Sequence, residues 1–413
     1  MAGTSSEVAA SRAAFAYPNF VEYQTARFFV VLTTEMQSVA VGWQVYEITR
    51  RPLDLGLVGL AQFLPAILLF LVSGHAADRL DRKKLLFTCY VGYGVCSALF
   101  LAVALRHPTT AGPIYVILVM LGVVRAFSAP VSRTILPSIV PEEHFQSAVA
   151  WSSSFFQVAT TLGPAAGGLV YAAARGPAAV YGLGAGCAVV AMVMVSRMRL
   201  EARVIPAEPR TLRTVLAGLR YIGRERLILG AISLDLFAVL LGGAVALLPV
   251  YAKEVLHTGP WGLGFLRSAP GIGAGCMAVF LAHRELRGAG RKMLWCVAGF
   301  GVFTVLFGIS RSFAASLIAL FLVGALDMVS VLVRAVMVQI WTPDEMRGRV
   351  NAVDMIFVGA SNELGEFESG LTAHWFGTVP AVVLGGVAAI VVTGIWAWKF
   401  PELKEVDRLT MVE

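Results

Sequence analysis

Gly74-His-Ala-Ala-Asp78-Arg79-Leu-Asp-Arg82-Lys83-Lys84 is a short charged stretch between two apolar runs, 55–77 and 85–105. Each run reaches the roughly 20 residues that a helix needs to cross a bilayer. So short a connection makes the two helices antiparallel neighbours. Its Arg and Lys residues assign it to the side of the membrane where basic residues collect.

The same reading extends along the whole chain. Of 413 residues 57% are hydrophobic and 14% charged, with mean hydropathy +0.75. A soluble domain carries about 25% charged residues, so lipid is the expected solvent. Twelve spans can be drawn: 27–49, 55–77, 85–105, 113–133, 146–174, 178–196, 227–252, 261–283, 293–310, 313–340, 349–376 and 379–399. The apolar runs are continuous rather than alternating, which excludes a transmembrane barrel. Connections that follow even-numbered spans hold most of the Lys and Arg, which places both termini in the cytoplasm. That asymmetry accounts for the net charge of +7 without a nucleic-acid partner. Residues 1–20 lack the basic start, apolar centre and cleavage site of a signal peptide and read as a mobile tail.

The chain repeats itself at an offset of 202–205 residues. Leu162-Gly-Pro-Ala-Ala-Gly-Gly-Leu169 lies over Leu364-Gly-Glu-Phe-Glu-Ser-Gly-Leu371, Gly122 over Gly324 and Pro65 over Pro270. The expected fold is therefore an all-α membrane protein of twelve transmembrane helices in two six-helix bundles. Its divisions are a tail (1–26), a first bundle (27–196), a linker (197–226), a second bundle (227–400) and a tail (401–413). In the linker, Leu212, Val215, Leu216, Leu219 and Ile222 have helical spacing, predicting an amphipathic helix on the cytoplasmic membrane surface.

Charges inside apolar spans mark candidate function, because each costs roughly 2.5–3.5 kcal/mol at a helix centre. Glu35, Arg125, Asp235, Asp327 and Arg334 fall in spans 1, 4, 7 and 10, the expected walls of a central cavity. Asp327 and Arg334 share a stripe but lie roughly 10 Å apart along the axis. A static ion pair and an exchange of partners both remain open for this group. In span 11, Glu363 and Glu366 stand one turn apart on one side, so one of them can hold a proton or both can join an interhelical network. Glu35 is placed near Gln37 and Gln44, and Asp354 reads as a local cap or loop contact. His75 and His283 read as interface residues, and Trp43, Trp261, Trp375 and Trp396 as interface anchors. The five cysteines fall in spans without metal-type spacing and read as free, buried thiols.

These residues also carry a resemblance. The stretch from Gly74 to Lys84 is similar to the loop 2–3 signature of the major facilitator superfamily. Gly163-Pro164-Ala-Ala-Gly167-Gly168 resembles the core of its antiporter motif, although Ala150 and Ala159 stand where that motif has glycines. Arg125 lies where members often have an arginine. The pattern around Asn362-Glu-Leu-Gly-Glu-Phe-Glu-Ser-Gly370 looks closest to the enterobactin-exporter, drug-efflux-like branch.

The resemblance implies proton-coupled export of a medium-sized organic solute, a siderophore or hydrophobic drug, through a bacterial cytoplasmic membrane. Membrane lipids would surround a monomer. Gly74, Asp78, Arg79, Gly163 and Pro164 are the expected gating residues, with Arg82, Lys83 and Lys84 given a topological role. Coupling and binding fall to Glu35, Arg125, Asp235, Asp327, Arg334, Glu363 and Glu366. No Walker motif, metal cluster or nucleophile triad occurs, so no cofactor, metal or enzymatic activity is expected. Movement of a lipid or lysophospholipid, solute uptake, and a non-transporting sensor on the same scaffold remain alternatives.

Overall fold

The computed structural model describes residues 13–199, 212–284 and 286–407, with the side chains of Leu71, Asp78, Leu212 and Arg213 left aside. The gating role expected of the Asp78 carboxylate, and what was expected of residues 1–12, 200–211 and 408–413, lie outside the described residues.

The helices are α1 (Pro18–Thr49), α2 (Pro52–Leu68), α3 (Phe70–Arg79), α4 (Arg82–Leu105), α5 (Gly112–Ile139), α6 (Phe145–Ala174) and α7 (Ala178–Arg197). They continue with α8 (Leu212–Arg224), α9 (Arg226–Gly242), α10 (Gly259–Ala282), α11 (Ala289–Ile309), α12 (Phe313–Trp341), α13 (Asp344–Phe376), α14 (Thr378–Lys399) and α15 (Glu402–Glu405). Each expected span has its helix, the second interrupted between α2 and α3 and the seventh after Gly242. Pro52, Pro113 and Pro260 sit in the first turns of their helices, where proline's missing N–H costs no helical bond.

Eight of the described helical stretches are long and apolar enough to cross a membrane. Those that fall short include α1, α6 and α13, which carry the polar residues considered below. The first helix begins at Pro18, well before the expected start, because Phe20, Tyr23 and Ala26 bury one helical face. Residues 13–20 of the expected mobile tail are therefore part of the folded unit.

By contacts the chain divides into two compact units, residues 1–44 with 61–210 and residues 45–60 with 211–413. In the first, α4 packs on α5 and α7, and α3 on α5. In the second, α11 packs on α12 and α14, and α10 on α12. The pairing repeats as the sequence does, down to single glycines. A methyl group on Gly122 would collide with the Gln62 carbonyl, and one on Gly324 with the Pro270 carbonyl. In both units a glycine lets the fourth span lie against the backbone of the second.

Both units cap the N-terminus of their third span with an aspartate, by different routes. Asp81 accepts from the backbone N–H groups of Lys83 and Lys84, satisfying donors that the helix leaves open. For α11 the acid comes from far away: the Gly288 N–H donates to the Asp407 carboxylate at 2.9 Å and to its carbonyl at 2.7 Å. Phe400, Leu403 and Val406 are buried beside it, and Arg226 pairs with Glu402 at 3.1 Å. The expected tail from residue 401 is thus a docked strap as far as Asp407.

Other expectations change too. Arg82 donates to the Thr134 carbonyl, and Lys83 to those of Ser196 and Met198. Both tie the loop to the C-terminal ends of α5 and α7, beyond a topological role. The linker helix α8 packs on α13: Ile222 is buried, and Gly218 meets the Arg349 carbonyl. Leu216 and Leu219 remain exposed on its other side, so one helix serves two surfaces. Trp43 is buried against Tyr171, and the Trp396 indole N–H donates to Ser233. These two are packing residues, whereas Trp261 and Trp375 are exposed. Cys276 is exposed, unlike buried Cys89 and Cys96.

Candidate functional site

The ionisable side chains of the second unit converge. Asp235 on α9, Asp327 and Arg334 on α12, and Asp354 on α13 come from three helices. Arg334 is the hub: one guanidinium nitrogen lies 3.4 Å from the Asp235 carboxylate, and the other bonds Asp354. The rigid, planar fork of a guanidinium presents separate nitrogens to the two carboxylates. Asp354 is therefore no loop contact. It shares a helical stripe with Ser361, Gly365 and Ser369, all buried, and that stripe faces α9. This regular spacing of small residues was the signal that could have placed it. Among the described residues no salt bridge reaches Asp327, so the helical distance from Arg334 holds.

Asp327 instead lines a cavity of about 260 Å³ with Asn362, Glu366 and Thr304, walled mainly by apolar groups such as Phe300, Phe307 and Pro270. The cavity forms where the seventh span breaks. Helix α9 ends at Gly242, Gly243 and Ala244 are extended or turning, and the chain resumes as short helical turns through Val255. Extended backbone inside a membrane must find partners. The Ser369 hydroxyl provides one, donating to the Gly243 carbonyl. Broken spans of this kind form the solute and ion sites of many secondary transporters.

Glu366 also faces residues 45–60. A methyl group on Gly59 would sit 2.7 Å from one Glu366 carboxylate oxygen and 3.4 Å from one of Glu363. The two glutamates do share a side, and Gly59 is what lets the α2 backbone approach them. One turn further on, Gly370 meets Gly56. Glu368 takes no part; it accepts from Thr372 at 2.6 Å within α13. Near the same end of the unit, Tyr46 donates to Glu254 and Lys253 pairs with Glu47 at 3.0 Å.

In the first unit Glu35 and Arg125 have different settings. Helix α6 crosses α1 at Gly163 and Gly167, where a methyl on Gly163 would come 2.5 Å from the Glu35 Cβ. The motif glycines therefore set how closely α6 can pass the half-buried Glu35, and Pro164 is buried within the helix beside them. Gln37 and Gln44 point elsewhere, bonding Ser97 at 2.8 Å and Tyr181 at 2.7 Å. Positions 35 and 37 are about 200° apart around a helix, which explains the separation. Arg125 donates to Gln62 at 3.0 Å. Arg27, at the edge of the expected first span, is the cation that sequence reasoning missed: it bonds Ser152 and lies over the Phe156 ring at 5.3 Å. Gly74 is buried within α3, and Arg79 is exposed at its end.

The family model described as transmembrane secretion effector matches residues 9–412. The chain belongs to this family. Its architecture is that of major facilitator transporters. The enterobactin exporter EntS of Shigella boydii serotype 18 is 29% identical over 392 residues, covering 91% of this chain and 86% of the exporter. The EntS of Escherichia coli O81 matches at the same identity and coverage. Solved structures agree on the fold. A bacterial homologue of the human lysosomal transporter Spinster superposes with TM-score 0.72 at 12% identity, over 94% of this chain and 97% of the homologue. A D-xylose–proton symporter gives TM-score 0.68 at 13% identity, over 96% and 100%. This secretion-effector family member is thus an integral membrane secondary transporter with the twelve-helix fold expected from its sequence.

Proposed function

We propose that this chain is a proton-coupled exporter of a medium-sized, partly apolar organic solute, working by alternating access in a bacterial cytoplasmic membrane. One observation carries the reading. An Arg334-centred acid cluster stands directly behind a cavity whose few polar groups include the carboxylates of Asp327 and Glu366. Groups so costly to bury are retained where they bind or relay ions. The similarity to enterobactin exporters favours outward movement, with siderophores and hydrophobic drugs as first candidates. Asp327 and Glu366 would contact solute or proton, and Arg334 would hold Asp235 and Asp354. Glu363 would assist Glu366, Glu35 and Arg125 would serve the first unit, and Gly163 and Pro164 would shape its moving helix.

Only a difference in affinity between two conformations can couple solute to proton. The test is purified protein in liposomes with an imposed pH gradient and a panel of siderophores and cationic or neutral drugs. Gradient-driven movement of at least one class is expected, with Asp327→Asn and Glu366→Gln each lowering it by tenfold or more. Movement indifferent to the gradient and to both substitutions would sink the proposal.

A further inference from the structure

Beside the main cavity is a second chamber of only about 10 Å³, lined by Asp235, Ala238, Val239, Val297, Phe300, Asp327 and Ser330. It has room for one water-sized body. Two carboxylates and one hydroxyl are its only side-chain polar groups. The Ser330 residue is 1% exposed, yet its Oγ has no hydrogen-bond partner. A helical serine ordinarily bonds a carbonyl one turn back, so a buried hydroxyl without such a bond needs a partner.

Charge points to what that partner is. Around the chamber stand Asp235, Asp327 and Asp354 against, among the described residues, the single cation Arg334, which is held between Asp235 and Asp354. Helix α11 contributes only Val297 and Phe300, and Glu366 on α13 adds a further acid in the neighbouring cavity. The surroundings are therefore acid-rich, and in so poorly solvated a place the excess must be met by a proton or by another cation. Three oxygen-bearing side chains lining one small space match a single oxygen-liganded monovalent cation. Both a protonated water, with three donors, and a sodium ion have this chemistry.

We propose that this chamber is a cation site distinct from the solute cavity, formed by Asp235, Asp327 and Ser330. Asp327 is the shared wall, since it lines both spaces. A cation behind it and a charged group of the solute in front of it draw on the same carboxylate. The inference rests on the transporter reading but not on which ion drives transport.

The site can be read without transport. Full-length protein in detergent micelles is melted across a pH series, in choline chloride and in sodium chloride, for the parent and for Ser330→Ala, Ser330→Cys and Asp327→Asn. Sodium occupancy predicts stabilisation by sodium over choline at fixed pH, with a midpoint about tenfold weaker in Ser330→Ala, the loss of one oxygen ligand being comparable with that of a hydrogen bond to a charge. Proton occupancy predicts no sodium effect and a pH midpoint displaced by about one unit in the same variant. Ser330→Cys should fall between parent and alanine in either case, and Asp327→Asn should abolish the response. Responses to sodium and pH identical in parent, Ser330→Ala and Ser330→Cys would overturn the site. A flat result here alongside gradient-driven transport would remove the chamber while leaving the exporter reading in place.

Discussion

Replacing Arg334 by Met should be the most damaging single change in the second unit. The three side chains at stake are 6% exposed for Arg334, 8% for Asp235 and 19% for Asp354, so water cannot replace the lost cation. Removing one partner from a buried ionic group costs roughly 3–5 kcal/mol, because the others stay charged in a poor solvent. For a unit of roughly 200 residues that corresponds to a melting temperature lower by about 10 °C. Arg334→Lys should recover only part of the loss, since one compact ammonium replaces two separated nitrogens held in a rigid fork. Adding Asp235→Asn and Asp354→Asn to Arg334→Met should restore most of it, because neither of the two carboxylates that Arg334 paired then carries a charge. Thermal unfolding of purified protein followed by tryptophan fluorescence measures all three variants against the parent. If Arg334→Met melts with the parent, or the neutralised triple variant melts no higher than Arg334→Met, the cluster is not a coupled ionic unit and the reasoning fails.

The repeated glycines give a paired prediction. Gly122→Leu and Gly324→Leu should each destabilise by about 1–3 kcal/mol through overpacking against carbonyls of the second and eighth spans. Each melting curve should drop, and an unchanged curve for both would remove the close-approach argument. The caps give another. Asp81→Ala and Asp407→Ala should each cost about 0.5–2 kcal/mol, and amide exchange at residues 288–290 should quicken only in the second variant. Protection unchanged there would show that the strap does not hold the helix end.

Much of this architecture is written in composition and periodicity. Twelve helices, the twofold repeat and the convergence of Asp235, Asp327, Arg334 and Glu366 follow from where charges interrupt apolar runs. Helix geometry alone kept Asp327 and Arg334 apart and put Glu363 beside Glu366. Rotation around an axis defeated the reading of Gln37 and Gln44, which are close to Glu35 in number but not in direction. Asp354 was missed because position near a span end suggested solvent, whereas partner choice depends on the neighbouring helix. Trp43 failed for the same reason. The orphaned hydroxyl of Ser330 leaves no trace in a sequence at all, since what distinguishes it is a bond it does not make. Long-range tethers such as Asp407 to Gly288 are equally silent, because neither residue is unusual alone.

That last tether has a consequence for biogenesis. The first repeat closes its third span, α4, with an acid two and three residues from the donors, so the turn can set as soon as it is made. The second repeat waits for a side chain 119 positions downstream. Until the ribosome has delivered Asp407, the start of α11 has open amides and Gly290 faces an empty groove where Leu403 belongs. Two halves built on one plan thus mature on different clocks, and quality-control proteases would meet the later one unlatched.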